Sequence, residues 1–334
     1  MTIVNGIEID DITIYKNNIK ETIINNDVLE DNLHVIIVIS NPCLYARRYI
    51  LAREFIKRME NEKNVILYVV ELIYKNQKYI ITEKNNKNHL QLKTDIPIWH
   101  KENMINLGVK YLLPKTWKAF AWIDADIDFE STSWAEDALK LLNGSYDIIQ
   151  LWSHAVDMNE KLEGMNVFNS AGYQYIHNKN NYNKSKGINY WHPGYAWAIT
   201  RKAYEKMGGL FQLSILGSGD NIMMLSLINN GLKGLNEKSS DNYKKCVLEF
   251  EKKVCNFRFG YVPGVIRHYF HGSKKNRKYM ERWQILVDHD FDPLKHLAID
   301  NMGLLIPSKQ CPQLLLDDIY NYFKERNEDE FFKN

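Results

Sequence analysis

Ala119-Phe120-Ala121-Trp122-Ile123-Asp124-Ala125-Asp126-Ile127-Asp128-Phe129 opens as an apolar run of strand length and closes in alternating aspartates. A buried strand accepts a carboxylate only where that charge is paired or bound to a metal. Asp124 and Asp126 therefore mark the place where the strand leaves its sheet. Side chains two apart in a strand point the same way, and hard oxygen donors so placed suit a divalent cation carrying phosphates. The same residues read equally well as a strand end followed by helix-capping side chains, because short acidic runs arise by chance.

Upstream, residues 33–39 (Leu-His-Val-Ile-Ile-Val-Ile) form an apolar run that reads as a central strand, leaving through the turn Ser40-Asn41-Pro42. Tyr45, Tyr49, Ala52, Ile56 and Met59 follow at helical spacing, and residues 65–70 are the next strand, ending at Glu71. Apolar strands joined by a helix need cover on both faces, the mark of a parallel α/β sheet. The polar segment 74–93 reads as an edge hairpin, and Pro97 precedes a helix over 98–107 closed by Gly108. Beyond the aspartates, Ser133-Trp134-Ala135-Glu136 has the form of a capping box for a helix that stops at Asn143-Gly144.

Residues 147–152 supply a further strand; residues 157–189, with few apolar runs, read as a long connection that is either a functional loop or disordered. A strand over 195–200, a short helix ending at Gly208-Gly209 and a helix over 221–230 follow. The charged stretch 238–253 reads as an exposed helical insertion, and 314–323 as an amphipathic helix on the outside. No internal repeat is visible.

The 334 residues suit one large α/β domain with insertions, and 45% hydrophobic with 25% charged residues is an ordinary globular balance. A net charge of +2 argues against a protein built to coat nucleic acid, leaving only the basic run from Lys274 to Arg282 as a weak signal of that kind. Cys43, Cys246, Cys255 and Cys311 have neither zinc-finger nor Cys-x-x-Cys spacing and read as reduced thiols. No run approaches a membrane span, and the N-terminal residues lack the basic and apolar regions of a signal peptide. The expectation is a soluble, cytoplasmic protein.

The chemistry-bearing residues fall in an ordered set: Asp124 and Asp126 early, the turn Gly217-Ser218-Gly219-Asp220 later, then His268 and His271 followed by Lys274, Lys275, Asn276 and Arg277. Carboxylates and an imidazole hold a cation, basic side chains neutralise phosphates, and a further carboxylate takes a proton. Each feature alone has a plainer reading: a hydrogen-bonded structural histidine, a helix N-cap at Asp220, a solvated basic run.

Together these residues resemble the nucleotide-sugar-dependent glycosyltransferases of the GT-A fold, whose Asp-x-Asp metal motif is similar to Trp122-Ile123-Asp124-Ala125-Asp126. Gly194-Tyr195-Ala196-Trp197-Ala198-Ile199-Thr200-Arg201, with Tyr204 and Gly208-Gly209-Leu210, resembles the acceptor-side segment of galactosyltransferase-like members. The resemblance runs from about residue 33 to 283 and implies a GT-A domain over 31–285: a nucleotide-binding half (31–155) and an acceptor-binding half (156–285). Residues 1–30 and 286–334 would be extensions.

It further implies a mostly parallel mixed sheet flanked by helices and a Mn²⁺ or Mg²⁺ cofactor held by Asp124, Asp126, and His268 or His271. The implied reaction carries a hexose from a nucleotide donor, UDP-linked, to a glycan or other hydroxyl acceptor. Asp220 matches the catalytic base of inverting members, and Gly219 departs from the pattern by leaving one carboxylate where two are common. Strand ends in open α/β sheets receive ligands, which makes Ser40, Asn41 and Glu71 candidates for the donor, with Arg47, Lys101, Asn106, Asp124, Lys274 and Arg277. Trp191, His192, Gly194 and Tyr195 are the candidates for the acceptor. A binding module without catalysis and a phosphatase with Asp124 as nucleophile are the rival readings.

Overall fold

A computed structural model describes residues 2–4, 7–9, 31–177, 191–279 and 281–330. The strands are numbered in chain order. They are β1 (Thr2–Val4), β2 (Ile7–Ile9), β3 (Leu33–Ser40), β4 (Val65–Tyr74), β5 (His89–Thr94), β6 (Ala119–Ile123), β7 (Ile127–Phe129) and β8 (Ile148–Gln150). There follow β9 (His154–Met158), β10 (Gly164–Ser170), β11 (Trp191–His192), β12 (Ala196–Thr200), β13 (Phe259–Tyr261), β14 (Val265–His268), β15 (Leu297–Ile299) and β16 (Leu305–Pro307).

The main sheet has seven strands in the order β13-β8-β12-β6-β3-β4-β5. Only β12 runs against its neighbours; the other pairs in that sheet are parallel. This is the mostly parallel α/β sheet expected from the apolar strands. Leu33, Val35 and Ile37 point to one face and His34 and Ile36 to the other, all buried, because both faces carry helices. The helix Ala46–Met59 buries Leu51, Ala52, Phe55 and Met59, and the helix Lys101–Tyr111 buries Met104, Ile105 and Leu107. Gly108 lies inside that second helix rather than closing it: a Cβ there would meet Ile36 at 3.0 Å and Val70 at 3.1 Å, so helix and sheet approach through the glycine.

A second sheet, β11-β10-β9-β14-β7, packs alongside. The end of its strand β9, strand β10 and the helix Ala171–His177 lie within 157–189, which reads in sequence as one long loop. Residues 178–189 of that stretch lie outside the described residues. The segment 74–93 also differs from expectation. There is no hairpin; β5 joins β4 in parallel as the sheet edge.

Ser133 does not form a capping box. Its hydroxyl donates to Asp137 Oδ2 at 2.7 Å, while Glu136 pairs with Lys140 at 2.8 Å. The helix Asp241–Val254 is amphipathic rather than wholly exposed, burying Tyr243, Val247, Phe250 and Val254. The C-terminal helix Gln313–Glu325 buries Leu315, Leu316, Ile319, Tyr322 and Phe323 in the same core as the main sheet. No helix among the described residues is long and apolar enough to cross a membrane.

Candidate active site

The aspartate pair occupies the link between the two sheets. β6 ends at Ile123 in the first, and β7 begins at Ile127 in the second, so Asp124-Ala125-Asp126 forms the bend. Strand register then brings distant residues to Asp126. β14 pairs with β7 so that His268 stands opposite Ile127, and with β9 so that His268 stands beside Asp157. The backbone N–H of Tyr269 donates to the Asp126 carbonyl at 2.7 Å, extending the ladder one step. Three residues further on, Gly272 takes a positive φ of 88°, and His271 just before it returns to the same point.

The outcome is a three-residue cluster. One ligand atom each from Asp126, His268 and His271 lies within 4.8 Å of the others. His271 Nε2 is 2.8 Å from Asp126 Oδ2, and His268 Nε2 is 3.9 Å from it. The two Nε2 atoms are 3.3 Å apart. Both histidines, which sequence alone left as alternatives, are therefore present together.

The donor chemistry fits a divalent cation. Asp126 Oδ1 is buried without a hydrogen-bond partner, the state of an atom reserved for a ligand. Burial pushes the Asp126 carboxyl up, but His271, His268 and Arg277 outweigh it and hold the group well below the carboxylate range. His268 Nδ1 donates to Asp157 Oδ1 at 2.6 Å, which directs the Nε2 lone pair at the cluster. Burial lowers the His268 pKa, against the pull of Asp157, so the ring is neutral as a metal ligand must be. Asp157, buried but facing His268 and Lys274, is held at about 2.

Asp124 makes a different contact, an ion pair with Lys101 from the first turn of the helix Lys101–Tyr111. Burial raises the Asp124 pKa, Lys101 opposes that, and Asp126 and Asp220 add to it. Burial lowers the Lys101 pKa, but Asp124, Asp220 and Glu102 raise it overall. One ammonium thus serves a group of carboxylates. Asp220 sits in the first turn of the helix Gly219–Leu227, with Oδ1 accepting from Asn221 N at 2.8 Å. It packs on Gly194, where a Cβ would come within 2.7 Å of Asp220 Oδ2.

Glu102 carries no signal in the sequence reading. Its carboxyl lies directly over Gly219, where a Cβ would meet Oε1 at 2.5 Å. Burial lifts its pKa to about 8, Lys101 works against this, and Asp220 and Asp124 add to it. At neutral pH this carboxyl therefore holds its proton and can donate a hydrogen bond.

One cavity touches Lys101, Glu102, Asp124, Asp126, Asp220, His268 and His271, and is also lined by Val38, Ser40 and Pro42 at the end of β3 and by His192 and Tyr195. Its cationic wall comprises Arg48, Arg277, Arg282 and Arg326. Arg277 donates to Tyr279 Oη at 3.1 Å and to His271 Nε2 at 2.7 Å. Arg282 donates to Tyr322 Oη at 3.2 Å and to Ser218 Oγ. Among the described residues neither guanidinium hydrogen-bonds a carboxylate, so both have charge available for an anion.

Several sequence candidates stand elsewhere. Glu71 is buried and caps the backbone N–H groups of Ile80, Ile81 and Thr82. Asn106 bridges Leu210 N and Leu210 O, fixing the loop after Gly209. Asn41 is spent on both backbone groups of Tyr45, and Arg47 donates to the Phe270 carbonyl at 2.8 Å. It is the next residue, Arg48, that reaches the cavity. Lys274 pairs with Asp157 behind His268, and Trp191 packs against the main core cluster. Ser40 lines the cavity, its hydroxyl 2.6 Å from Tyr74 Oη.

No family model matches the chain, and no curated protein does. Among solved structures it is similar to a mutant of Drosophila β1,4-galactosyltransferase 7 in complex with manganese, UDP-Gal and xylobiose, at 10% identity and a TM-score of 0.31. That match covers 60% of this chain and spans 62% of the Drosophila chain. A putative nucleotide-diphospho-sugar transferase from Desulfovibrio desulfuricans is similar at 9% identity and a TM-score of 0.32, covering 77% of this chain and 94% of that one. The galactosyltransferase LgtC in complex with donor and acceptor sugar analogs is similar at 10% identity and a TM-score of 0.33, covering 77% and 95%.

Proposed function

We propose that this chain is a metal-dependent glycosyltransferase of the GT-A class that carries a hexose from a UDP-linked donor to an acceptor hydroxyl with inversion. The observation that carries the reading is the meeting of Asp126, His268 and His271 in one cavity with Lys101, Asp124 and Asp220. The cluster would hold a divalent cation, and two imidazoles favour Mn²⁺ over Mg²⁺, which prefers oxygen donors. Bound there, the ion offsets charge on a leaving diphosphate.

The chain's own residues supply the rest. The β3 end at Val38, Ser40 and Pro42 is the place for the nucleoside, at the carboxyl edge of a central parallel strand. Arg277 and Arg282 take the phosphate oxygens, since among the described residues their hydrogen bonds go only to Tyr279, His271, Tyr322 and Ser218 and to no carboxylate. Lys101 holds Asp124 against the sugar or ribose. Asp220 accepts the proton of the attacking hydroxyl. The protonated Glu102 stands where Gly219 has no side chain and orients the acceptor or sugar hydroxyl; helix 101–111 thereby restores the second acid of the turn. His192 and Tyr195 form the acceptor wall.

The test is a panel of nucleotide sugars with Mn²⁺, scored by thermal shift and by nucleotide release. A UDP-sugar should stabilise the protein only with the metal, and Asp126→Asn should abolish metal-dependent release. Full metal-dependent turnover by Asp126→Asn would refute the assignment. Metal-dependent UDP binding with no release from any donor and acceptor would favour a binding module instead.

A further inference from the structure

We propose that Glu328 is a positioning residue of the metal centre: its carboxylate orients the ring of His271, and residues 326–330 form a strap that holds it there. This rests on the metal-centre reading above and extends it to residues beyond the 31–285 domain that the sequence resemblance implies. Glu328 is only 3% exposed. Its Oε2 lies 3.7 Å from His271 Nδ1. Buried carboxylates need partners, and this one has two guanidiniums. Arg48 donates to both of its oxygens, at 2.5 and 2.6 Å, and Arg326 Nε donates to Oε1 at 2.9 Å. With burial opposed by Arg48 and Arg326, the group is held well below the usual carboxylate range and stays ionised.

On the other side of the ring, Nε2 of His271 faces Asp126 Oδ2 at 2.8 Å and Arg277 at 2.7 Å, so Nε2 points into the cluster and Nδ1 toward Glu328. His268 repeats the arrangement, with Nδ1 on Asp157 and Nε2 toward Asp126. A carboxylate behind each imidazole fixes the ring and raises its basicity as a ligand.

The neighbouring acids anchor the strap. Asp329 accepts from the N–H groups of Ala46 and Arg47 at 2.7 and 2.9 Å, capping a helix whose own N-cap, Tyr45, offers no side-chain bond. Glu330 accepts from Ser273 N at 2.6 Å and from Asn276 Nδ2 at 2.9 Å. Between them the strap lies on Gly272, where a Cβ would come within 3.0 Å of the Glu328 Cα. The residue after His271 is thus a glycine for two reasons, its positive φ and this close approach.

The experiment measures Mn²⁺ affinity of the full chain by calorimetry for the wild type, Glu328→Gln, Asp329→Ala and Asp126→Asn. Glu328→Gln should weaken Mn²⁺ binding by roughly 10- to 100-fold, as loss of such a carboxylate does elsewhere. Asp329→Ala should lower the melting temperature and, by loosening one anchor of the strap, weaken Mn²⁺ binding much less than Glu328→Gln does. Equal affinity in Glu328→Gln and wild type, or equal weakening in Asp329→Ala, would overturn the positioning role while leaving the metal centre intact. No Mn²⁺ binding by the wild type, or full binding by Asp126→Asn, would overturn the centre and this proposal together.

Discussion

Replacing Glu102 with glutamine should change how stability depends on pH. The side chain is 3% exposed, and burial lifts its pKa from 4.5 to about 8. The unfolded chain therefore releases this proton near pH 4.5, the folded chain only near pH 8. Within that window unfolding releases a proton, so stability falls as pH rises. The contribution is fully present below the lower value and lost above the higher. Each pH unit of the window costs about 1.4 kcal/mol for one proton, so three units cost on the order of 4 kcal/mol. At roughly 2 °C per kcal/mol for a domain of this size, that is on the order of 8 °C.

Glutamine keeps the shape and hydrogen-bonding capacity of the neutral acid and does not titrate. The assay is a set of thermal melts of wild type and Glu102→Gln from about pH 5 to about pH 8, at constant ionic strength and with a chelator to keep metal-linked protons out. The difference between the two proteins should grow steadily in favour of the variant as pH rises. Parallel curves would show that Glu102 ionises as a solvated carboxylate does, and would remove it as a neutral donor in the site.

Gly219→Ala sets a Cβ 2.5 Å from Glu102 Oε1 and 2.6 Å from its Cδ, so the carboxyl must move. It should cost about 1–3 kcal/mol and flatten the same pH dependence, read by the same melts; an unchanged slope would place Glu102 elsewhere. Asp220→Asn should bind Mn²⁺ and UDP like the wild type in calorimetry yet lose roughly 100-fold or more of transfer rate, and undiminished transfer would remove Asp220 as the base.

Much of the architecture is legible in local pattern. Continuous apolar runs, their length and turn residues mark β3, β4 and β6, and helical spacing marks the helix between the first two, because these features report which faces a segment must bury. The aspartates at the end of β6 stand out for the same reason: charge cannot continue into a buried strand. Residue chemistry alone also singles out His268 and His271.

What joins them is not local. His268 reaches Asp126 through the register of β14 against β7, and it acquires Asp157 through the register of β14 against β9. A register is set by packing across a sheet, and nothing in either segment announces its partner. Glu71 and Asn106 show the converse. Their place after a strand or on a helix suggests ligand contacts, yet one caps the backbone of 80–82 and the other fixes Leu210.

Glu102, at a helix start, and Glu328, in an acidic tail, have the sequence context of ordinary exposed acids. Their burial beside Gly219 and His271 exists only once the chain has folded. Sequence by itself determined the central strands β3, β4 and β6, the helix that joins the first two, and the aspartate and histidine candidates, since each depends on a few neighbouring side chains. Tertiary structure decided which carboxylate stands behind which imidazole, because that depends on residues as far apart as 271 and 328 closing on one cavity.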